Sequence, residues 1–318
     1  MKKGYIYIII TTLLFSSMEV ALKFVAGDFN AVQMTFSRFF FGGLVLLPFA
    51  VREIKKRGEK ISGRIVLSFA GLGLMGVFIS MTAYQLAVMS INASAVGVLF
   101  SSNPIFVTLF AFLLLREHIS KHQIAGLILD AVGILIIIKP WDLSMDPMGV
   151  AFILVATLMF SLYGVCGKRL CARFGGVVVT CMGFLLGAGE MMAAAGLTHI
   201  PGIASALKGA GLQSFANIPF LTGYSWANLP IVLYIFIGVT GVGYACYFLA
   251  MEKTSAQKTS LVFFFKPMLA PVLALIVLHE EIPLNMLIGI AVILAGSLVS
   301  ILPGLRAEKA APATALPQ

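Results

Sequence analysis

Residues 100–140, FSSNPIFVTLFAFLLLREHISKHQIAGLILDAVGILIIIKP, return in altered form as residues 263–303, FFFKPMLAPVLALIVLHEEIPLNMLIGIAVILAGSLVSILP. A shift of 163 residues aligns the two segments without a gap. The aligned pairs are Pro104 with Pro267, Glu117 with Glu280, Gly126 with Gly289, Gly133 with Gly296 and Pro140 with Pro303. Each segment contains two apolar runs of the kind that cross a bilayer, joined by a short polar connection. The repeat therefore predicts a pair of membrane-spanning helices in each half of the chain.

The composition extends this prediction to the whole chain. Hydrophobic residues make up 60% of the 318 residues, charged residues only 11%, and the mean hydropathy is +1.02. A soluble domain carries roughly 25% charged residues, so a water-soluble fold is excluded. The apolar runs predict an all-α integral membrane protein with ten transmembrane helices, near residues 5–26, 31–50, 65–89, 92–115, 124–138, 148–167, 176–197, 228–250, 259–278 and 284–302.

The basic residues predict the topology. With the N-terminus placed inside, seventeen Lys and Arg residues fall in inner connections, and only Lys23, Lys139 and Lys208 fall in outer ones. Cytoplasmic connections of membrane proteins are rich in Lys and Arg, so we expect both termini in the cytoplasm and a multi-pass protein of the plasma (inner) membrane. The net charge of +9 is explained by this asymmetry, and we expect no nucleic-acid partner.

A second repeat signal divides the chain into two halves. A shift of 145 residues places Thr12, Phe15, Ser16, Val20 and Lys23 on Thr157, Phe160, Ser161, Val165 and Lys168. We predict two five-helix repeats, residues 4–140 and 147–303, followed by a disordered cytoplasmic tail, 304–318. Five is odd, so the second repeat starts on the opposite side of the membrane, and the repeats are inverted. Inverted repeats suit alternating access around a site at their interface, although a duplication used only for packing remains an alternative.

The chain resembles the drug/metabolite transporter (DMT) superfamily, in its EamA-like branch with two EamA domains. The resemblance rests on Phe15-Ser-Ser, Arg38, Asn103-Pro104, Lys266-Pro267, Arg116-Glu117, His279-Glu280 and the glycine pairs 126/133 and 289/296. It implies a basket in which helices one to four and six to nine surround a central cavity, with helices five and ten at the periphery. It also implies a secondary transporter, an exporter or exchanger of small organic metabolites such as amino acids or other carboxylates, without ATP hydrolysis.

Charged side chains within the predicted spans are the first candidates for the site, because a charge in a bilayer is costly and is usually turned inward and paired. Glu19 and Arg38 lie at similar depths, and Glu19 shares a helix face with Lys23, which predicts a cluster of these three. The cluster would bind a carboxylate or ammonium group or couple transport to protons. The alternative is a fixed ion pair between the first two helices.

Lys266 is the third main candidate, beside a mid-membrane proline that frees backbone carbonyl groups. The alternative is a packing kink with a lysine that snorkels or forms an ion pair, with Asp130 as one candidate partner. We expect secondary contacts from Tyr84, Gln85 and Asn103, a counter-charge from Glu190, and helix capping or gate closing from Glu117 and Glu280.

Residues Gly71 to Gly76 match GxGxxG, but they lie in an apolar span with no strand before it, so we interpret them as a packing face. His118 and His122 have a spacing that could hold a metal on one helix, but the Ser120 cap falls between them. We therefore expect no catalytic residues, metal or cofactor.

Two further functions stay open: an integral membrane enzyme that acts on a lipid-linked substrate, and a non-transporting scaffold or sensor. The enzyme would need a nucleophile, an acid/base pair or a metal, none of which the sequence assembles. Besides the small-molecule substrate and the lipid bilayer, we expect one partner, a second copy of the chain. Glycine faces on helices five and ten would permit such a homodimer.

Overall fold

The computed structural model describes residues 2–115, 119–139, 145–254, 259 and 261–310, and every regular element among them is helical. Eight helices are long and apolar enough to cross a membrane, and two shorter apolar helices complete the ten that the sequence predicts. The ten are α1 Gly4–Phe24, α2 Ala31–Arg57, α3 Gly63–Ser90, α4 Ala93–Leu114, α5 Lys121–Ile138, α6 Pro147–Phe174, α7 Gly176–Leu197, α8 Leu229–Lys253, α9 Val262–Leu278 and α10 Leu284–Ser300.

Local sequence signals set where several helices begin. Asn30 precedes α2 and accepts hydrogen bonds from the backbone N–H groups of residues 32 and 33. Ser120 and Gln123 form the predicted capping box at the start of α5, and Asp146 caps α6 with Pro147 in its first turn. These side chains occupy backbone donors that have no partner within their own helix.

Four of the helices are irregular near their middles. A turn at Ser17 interrupts α1, and a turn at residues 101–102 interrupts α4. The segments Leu74–Met81 of α3 and Tyr234–Gly243 of α8 are wound as π-helix. Such widened segments are rare and occur frequently at functional sites. The two π-helical segments lie at nearly equivalent positions of the two repeats, so the distortion is a property of the repeated unit.

Helices of the two repeats alternate around a shared core. The helix α1 packs against α8 and α9, α2 against α7 and α8, α3 against α6 and α7, and α4 against α6 and α9. The helices α5 and α10 pack mainly on each other, outside this group. Fold and repeat organisation are thus those predicted: a ten-helix basket with α5 and α10 at its periphery.

The glycine faces of α5 and α10 contact each other within one chain. A Cβ atom added to Gly126 would lie 2.6 Å from the carbonyl oxygen of Gly296, and one added to Gly133 would lie 2.9 Å from that of Gly289. These faces, which we expected to offer a dimer contact, are therefore occupied. A dimer through α5 and α10 stays a prediction and would have to use their opposite, exposed faces.

The long connection between α7 and α8 folds over the start of α2. It contains a short helix, Pro201–Gly209, and two polar contacts hold it down. Gln33 donates from Nε2 to the carbonyl oxygen of Thr222 at 2.7 Å, and Asn30 donates from Nδ2 to that of Ser214 at 2.7 Å. This connection covers one end of the basket, opposite the side where α1 begins.

The C-terminal segment departs from the prediction. The last helix continues from Leu284 through Ala310, so the tail that we expected to be disordered from residue 304 is helical over its first residues. Residues 311–318 lie outside the described residues, as do Arg116, Glu117, His118 and Pro140. The predicted roles of those residues therefore stay predictions.

Candidate functional site

A buried ion pair joins the two repeats near the centre of the basket. Lys266 Nζ on α9 lies 2.5 Å from Glu19 Oε1 on α1, and the hydroxyl of Tyr84 on α3 donates to the same oxygen. All three side chains are fully buried. The contact is an ion pair whose angles leave the ammonium group without an ordinary hydrogen bond to any described residue. Two predicted residues from opposite ends of the chain thus meet in one site.

Aromatic rings surround the ammonium group of Lys266. Its Nζ lies 4.7 Å from the ring centroid of Phe100 on α4 and 5.7 Å from that of Tyr84. Ring faces attract a cation, and more strongly in a site without water. Gly97 allows α4 to approach α1 and α9 closely at this site, because a Cβ atom there would lie 2.7 Å from the Cβ of Ala270 and 3.5 Å from Glu19 Oε1.

Lys23 does not join this group, so the predicted cluster of Glu19, Lys23 and Arg38 is not formed as predicted. Lys23 Nζ donates to the carbonyl oxygens of Val88 at 2.9 Å and Ile91 at 3.0 Å, at the end of α3. The last carbonyl groups of a helix have no partner within it and attract basic side chains. Lys23 therefore bonds the helix end, and Glu19 pairs with Lys266 instead.

Arg38 lies fully buried on α2 without a carboxylate partner among the described residues. Its Nη1 donates to the Met18 sulfur at 3.5 Å, and its Cζ lies 4.7 Å from the ring centroid of Phe39. Its Nε and Nη2 have no hydrogen-bond partner within the described chain. Glu19, Tyr84 and Tyr244 are the groups within its electrostatic reach. The predicted pair between Arg38 and Glu19 is therefore not formed, and two guanidinium donors remain free.

Tyr244 completes the wall between the two repeats, as one of the tyrosines that the apolar spans offer to a central cavity. Its hydroxyl donates to the Met81 sulfur at 3.1 Å. Its ring lies 4.7 Å from that of Phe15 and 5.2 Å from that of Phe184, measured between centroids. Tyr244 directly follows the π-helical segment of α8. The wall of the site is aromatic, with a few polar groups set into it.

The two remaining predicted contacts occupy different surroundings. Asn103 on α4 donates from Nδ2 to Ser161 Oγ on α6 at 2.6 Å, so it ties α4 to α6. Gln85 is 1% exposed, and its Oε1 has no hydrogen-bond partner in the part of the chain that the structure describes. Asn103 is thus engaged in a helix contact, whereas Gln85 retains a free acceptor.

The other two charges within the helices do not reach the pair. Asp130 lies buried on α5 against Gly296 of α10, and Glu190 lies half-buried on α7. The ion-paired lysine of the alternative role is present, but its partner is Glu19 and not Asp130, because α5 packs at the periphery with α10. Lys266 pairs across the centre instead.

Polar contacts join the repeats at both ends of the basket. On the side opposite the start of α1, Glu280 accepts hydrogen bonds from the backbone N–H groups of Ala93 and Ser94, at 2.8 and 3.0 Å, and from the Ser94 hydroxyl at 2.8 Å. The capping role predicted for Glu280 is confirmed, although the helix it caps is α4 of the other repeat. A carboxylate at a helix N-terminus is well placed, since the first N–H groups lack partners.

The second contact lies on the side where α1 begins. Arg57 Nη2, at the end of α2, lies 2.9 Å from Glu252 Oε1 on α8. Glu252 Oε2 accepts from the backbone N–H of Gly176, the first residue of α7, at 3.2 Å. The sequence prediction missed this contact, because nothing local relates Arg57 to Glu252. The repeats are thus joined by polar contacts at both ends, and the side chains between these ends are buried.

Comparison with known proteins identifies the family. The model of the EamA-like transporter family matches the chain twice, over residues 2–139 and 147–302. The chain belongs to the EamA-like transporter family. As such it is a multi-pass membrane transporter of the DMT type, as its repeats and apolar helices lead one to expect.

Relatives of this EamA-like transporter are themselves named as transporters. An uncharacterized transporter of Clostridium kluyveri is 34% identical over 308 residues, 94% of this chain and 93% of that protein. An S-adenosylmethionine uptake transporter of Rickettsia prowazekii is 24% identical over 166 residues, 52% of this chain and 55% of that protein. A solved crystal structure superposes with a TM-score of 0.68 and 18% identity, covering 96% of this chain and 99% of that one, and supports the fold alone.

Proposed function

We propose that this EamA-like transporter is a secondary transporter of a small organic metabolite that carries a carboxylate group, such as an amino acid. The buried guanidinium group of Arg38 is the observation that carries the proposal. Glu19 and Lys266 neutralise each other, so among the described residues Arg38 leaves the centre with one uncompensated positive charge. A buried charge without a partner is costly, and an anionic ligand would remove that cost. The two free donors of Arg38 match the two oxygens of a carboxylate.

The groups around Arg38 receive complementary roles in this proposal. Arg38 holds the carboxylate, and Gln85 offers an acceptor for a further polar group of the substrate. The Glu19–Lys266 pair links the two repeats, and its opening would couple binding or protonation to the exchange between two access states. Tyr84 keeps Glu19 oriented, while Asn103 maintains the contact of α4 with α6. The aromatic wall would hold an apolar part of the substrate.

Direction and orientation follow the resemblance to exporters and the distribution of basic residues. We propose export or exchange across the plasma membrane, with both termini in the cytoplasm. S-adenosylmethionine belongs among the substrates to be tested, because relatives carry its name and its methionine part bears a carboxylate and an ammonium group. It is one probe beside amino acids and other carboxylic acids.

The test is a thermal-stability screen of the purified transporter against single metabolites. A ligand at a hundredfold excess over its Kd stabilises the folded protein by about 2.7 kcal/mol, which is a measurable rise in the melting temperature. We expect hits among carboxylates, and we expect Arg38→Ala to weaken binding at least about thirtyfold, since it removes one partner of a buried charge pair. Arg173→Ala is the matched control, because Arg173 is exposed and pairs with Glu59 away from the site.

Flux measurements on reconstituted vesicles then separate transport from binding alone. Uptake of the labelled hit into vesicles with the wild-type protein, and its loss with Arg38→Ala, would support a transporter with its site at Arg38. A hit whose affinity is unchanged in Arg38→Ala would refute the proposed site. Hits confined to molecules without a carboxylate would refute the substrate class, and tight binding without flux would favour a sensor.

A further inference from the structure

The contact of α1 with α9 is equivalent, by the internal repeat, to the contact of α6 with α4. Residues at equivalent positions are called repeat mates. The 163-residue shift pairs Asn103 of α4 with Lys266 of α9, and the 145-residue shift pairs Ser161 of α6 with Ser16 of α1. Both pairs lie at a helix contact near the centre of the basket. The partners of equivalent side chains in the two contacts can therefore be compared directly.

In the α4–α6 contact the polar groups are matched. Ser161 Oγ donates to the carbonyl oxygen of Thr157 at 2.7 Å and accepts from Asn103 Nδ2 at 2.6 Å. A neutral amide and a hydroxyl thus form a closed set. Gly164, the repeat mate of Glu19, brings no charge to this contact, and nothing lies within 4 Å of where its Cβ atom would be.

In the α1–α9 contact the equivalent residues are not bonded to each other. Lys266 pairs with Glu19, one helical turn after Ser16 on α1. Ser16 is fully buried, and its Oγ has no hydrogen-bond partner among the residues described. A buried hydroxyl without a partner is unusual and requires an explanation. The free hydroxyl lies at the position where the mate of Lys266 is bound in the other repeat.

We infer that Ser16 is a second acceptor for Lys266, which moves from Glu19 to Ser16 when Glu19 is neutralised. The inference rests on the proposed function and assigns a step to its site. Glu19 lies three positions after Ser16, a rise of about 4.5 Å along the helix, which a lysine side chain spans by rotation about its own bonds. Ser16 is then a positioning residue for Lys266.

The proton balance of this step is simple. A proton from the aqueous side adds to the carboxylate of Glu19, Lys266 keeps its own protons, and no other group changes its charge. The cationic group of a bound substrate could take the place of the proton. Lys266, Arg38, Tyr84 and Tyr244 are the titratable groups that face Glu19 from the packed helices. Neutral Glu19 loses its hold on Lys266, and the Ser16 hydroxyl then accepts a hydrogen bond from the ammonium group.

The test is a double-mutant cycle of thermal stability in detergent without ligand. Glu19→Gln imitates the neutral carboxyl group, and Ser16→Ala removes the second acceptor. We expect Ser16→Ala to lower the melting temperature by about 2 °C or less in the wild type and by about 5 °C in the Glu19→Gln background, where Lys266 depends on Ser16. Ser16→Thr keeps the hydroxyl, so in that background it should not lower the melting temperature as Ser16→Ala does. Glu19→Met takes the place of Glu19→Gln if the latter does not fold.

Ser161→Ala is the matched control, because Ser161 holds a neutral partner that Glu19 does not reach. Its effect should be the same in both backgrounds. If Ser16→Ala lowers the melting temperature equally in the wild type and in the Glu19→Gln background, within about 1 °C, Lys266 does not use Ser16, and the inference is overturned. The cycle needs no substrate, so an additive result leaves the carboxylate-transport proposal standing. A failed metabolite screen would remove that proposal whatever the cycle shows.

Discussion

Replacement of Lys266 by methionine removes one member of the buried pair and leaves Glu19 with the Tyr84 hydroxyl. Both members are fully buried and 2.5 Å apart, so water does not screen the change. Breaking a buried pair in this way costs about 3–5 kcal/mol, because it leaves an uncompensated charge. For a chain of this size the expected loss of melting temperature is about 10 °C.

The double variant Lys266→Met with Glu19→Gln tests the origin of that loss. Replacing both charges by neutral groups of similar volume is often neutral or stabilising, so we expect the double variant to melt within about 3 °C of the wild type. Thermal unfolding of the purified proteins, followed by intrinsic fluorescence, measures Lys266→Met, Glu19→Gln and the double variant. The matched control is Lys253→Met, since Lys253 is 54% exposed and pairs with Glu252, and such a pair contributes below about 1 kcal/mol.

Two results would contradict this reasoning. If Lys266→Met costs no more than Lys253→Met, the pair at the centre is not isolated from water. If the double variant loses the sum of the two single losses, the two charges do not stabilise each other, and the pair is not the link between the repeats that we describe.

Three further changes test other contacts. Gly126→Ala should lower the melting temperature by several degrees, since overpacking against the Gly296 backbone costs about 1–3 kcal/mol; Gly71→Ala, with open space at its Cβ, should not. Glu280→Gln should cost about 1 kcal/mol and speed thiol labelling of a cysteine placed at position 91, as the start of α4 loses its charged cap; equal labelling in Glu281→Gln and Glu280→Gln would refute this. Lys23→Met should cost about 1 kcal/mol without changing the affinity of any carboxylate ligand, because Lys23 bonds only carbonyl groups of α3 among its described contacts; weakened binding would return Lys23 to the site.

Part of the site could be read from sequence because the cost of a buried charge is general. Glu19, Arg38 and Lys266 stand out as charges in apolar runs, and all three lie in the centre of the basket. Their partners could not be read in the same way. Depth along a helix follows from residue number, but the direction of a side chain around the helix axis depends on how the helices are rotated and packed. Because of that rotation Glu19 pairs with Lys266, and Lys23 bonds carbonyl groups at the end of α3. Arg38 has no carboxylate partner among the residues that the structure describes.

Residues of intermediate polarity were the hardest to assign. Asn103 and Gln85 looked alike as polar groups in apolar helices, yet Asn103 is bonded to Ser161 and Gln85 has a free acceptor. Ser16 was visible in the sequence only as a member of the repeat and of the Phe15-Ser-Ser motif, and neither indicates a partner for its hydroxyl. Only the comparison of two repeat mates in space shows that its hydroxyl lacks the partner that Ser161 has.

The sequence by itself determined the ten helices, their division into two inverted repeats and the membership of the family. These properties depend on apolar runs, caps and a repeat, which are local or periodic and can be counted along the chain. The tertiary structure alone decided which charges meet, which glycine faces are occupied and which ends of the basket are held closed. Those contacts join residues that are distant in the chain, and their energies depend on distances of a few ångströms that only the packed helices define.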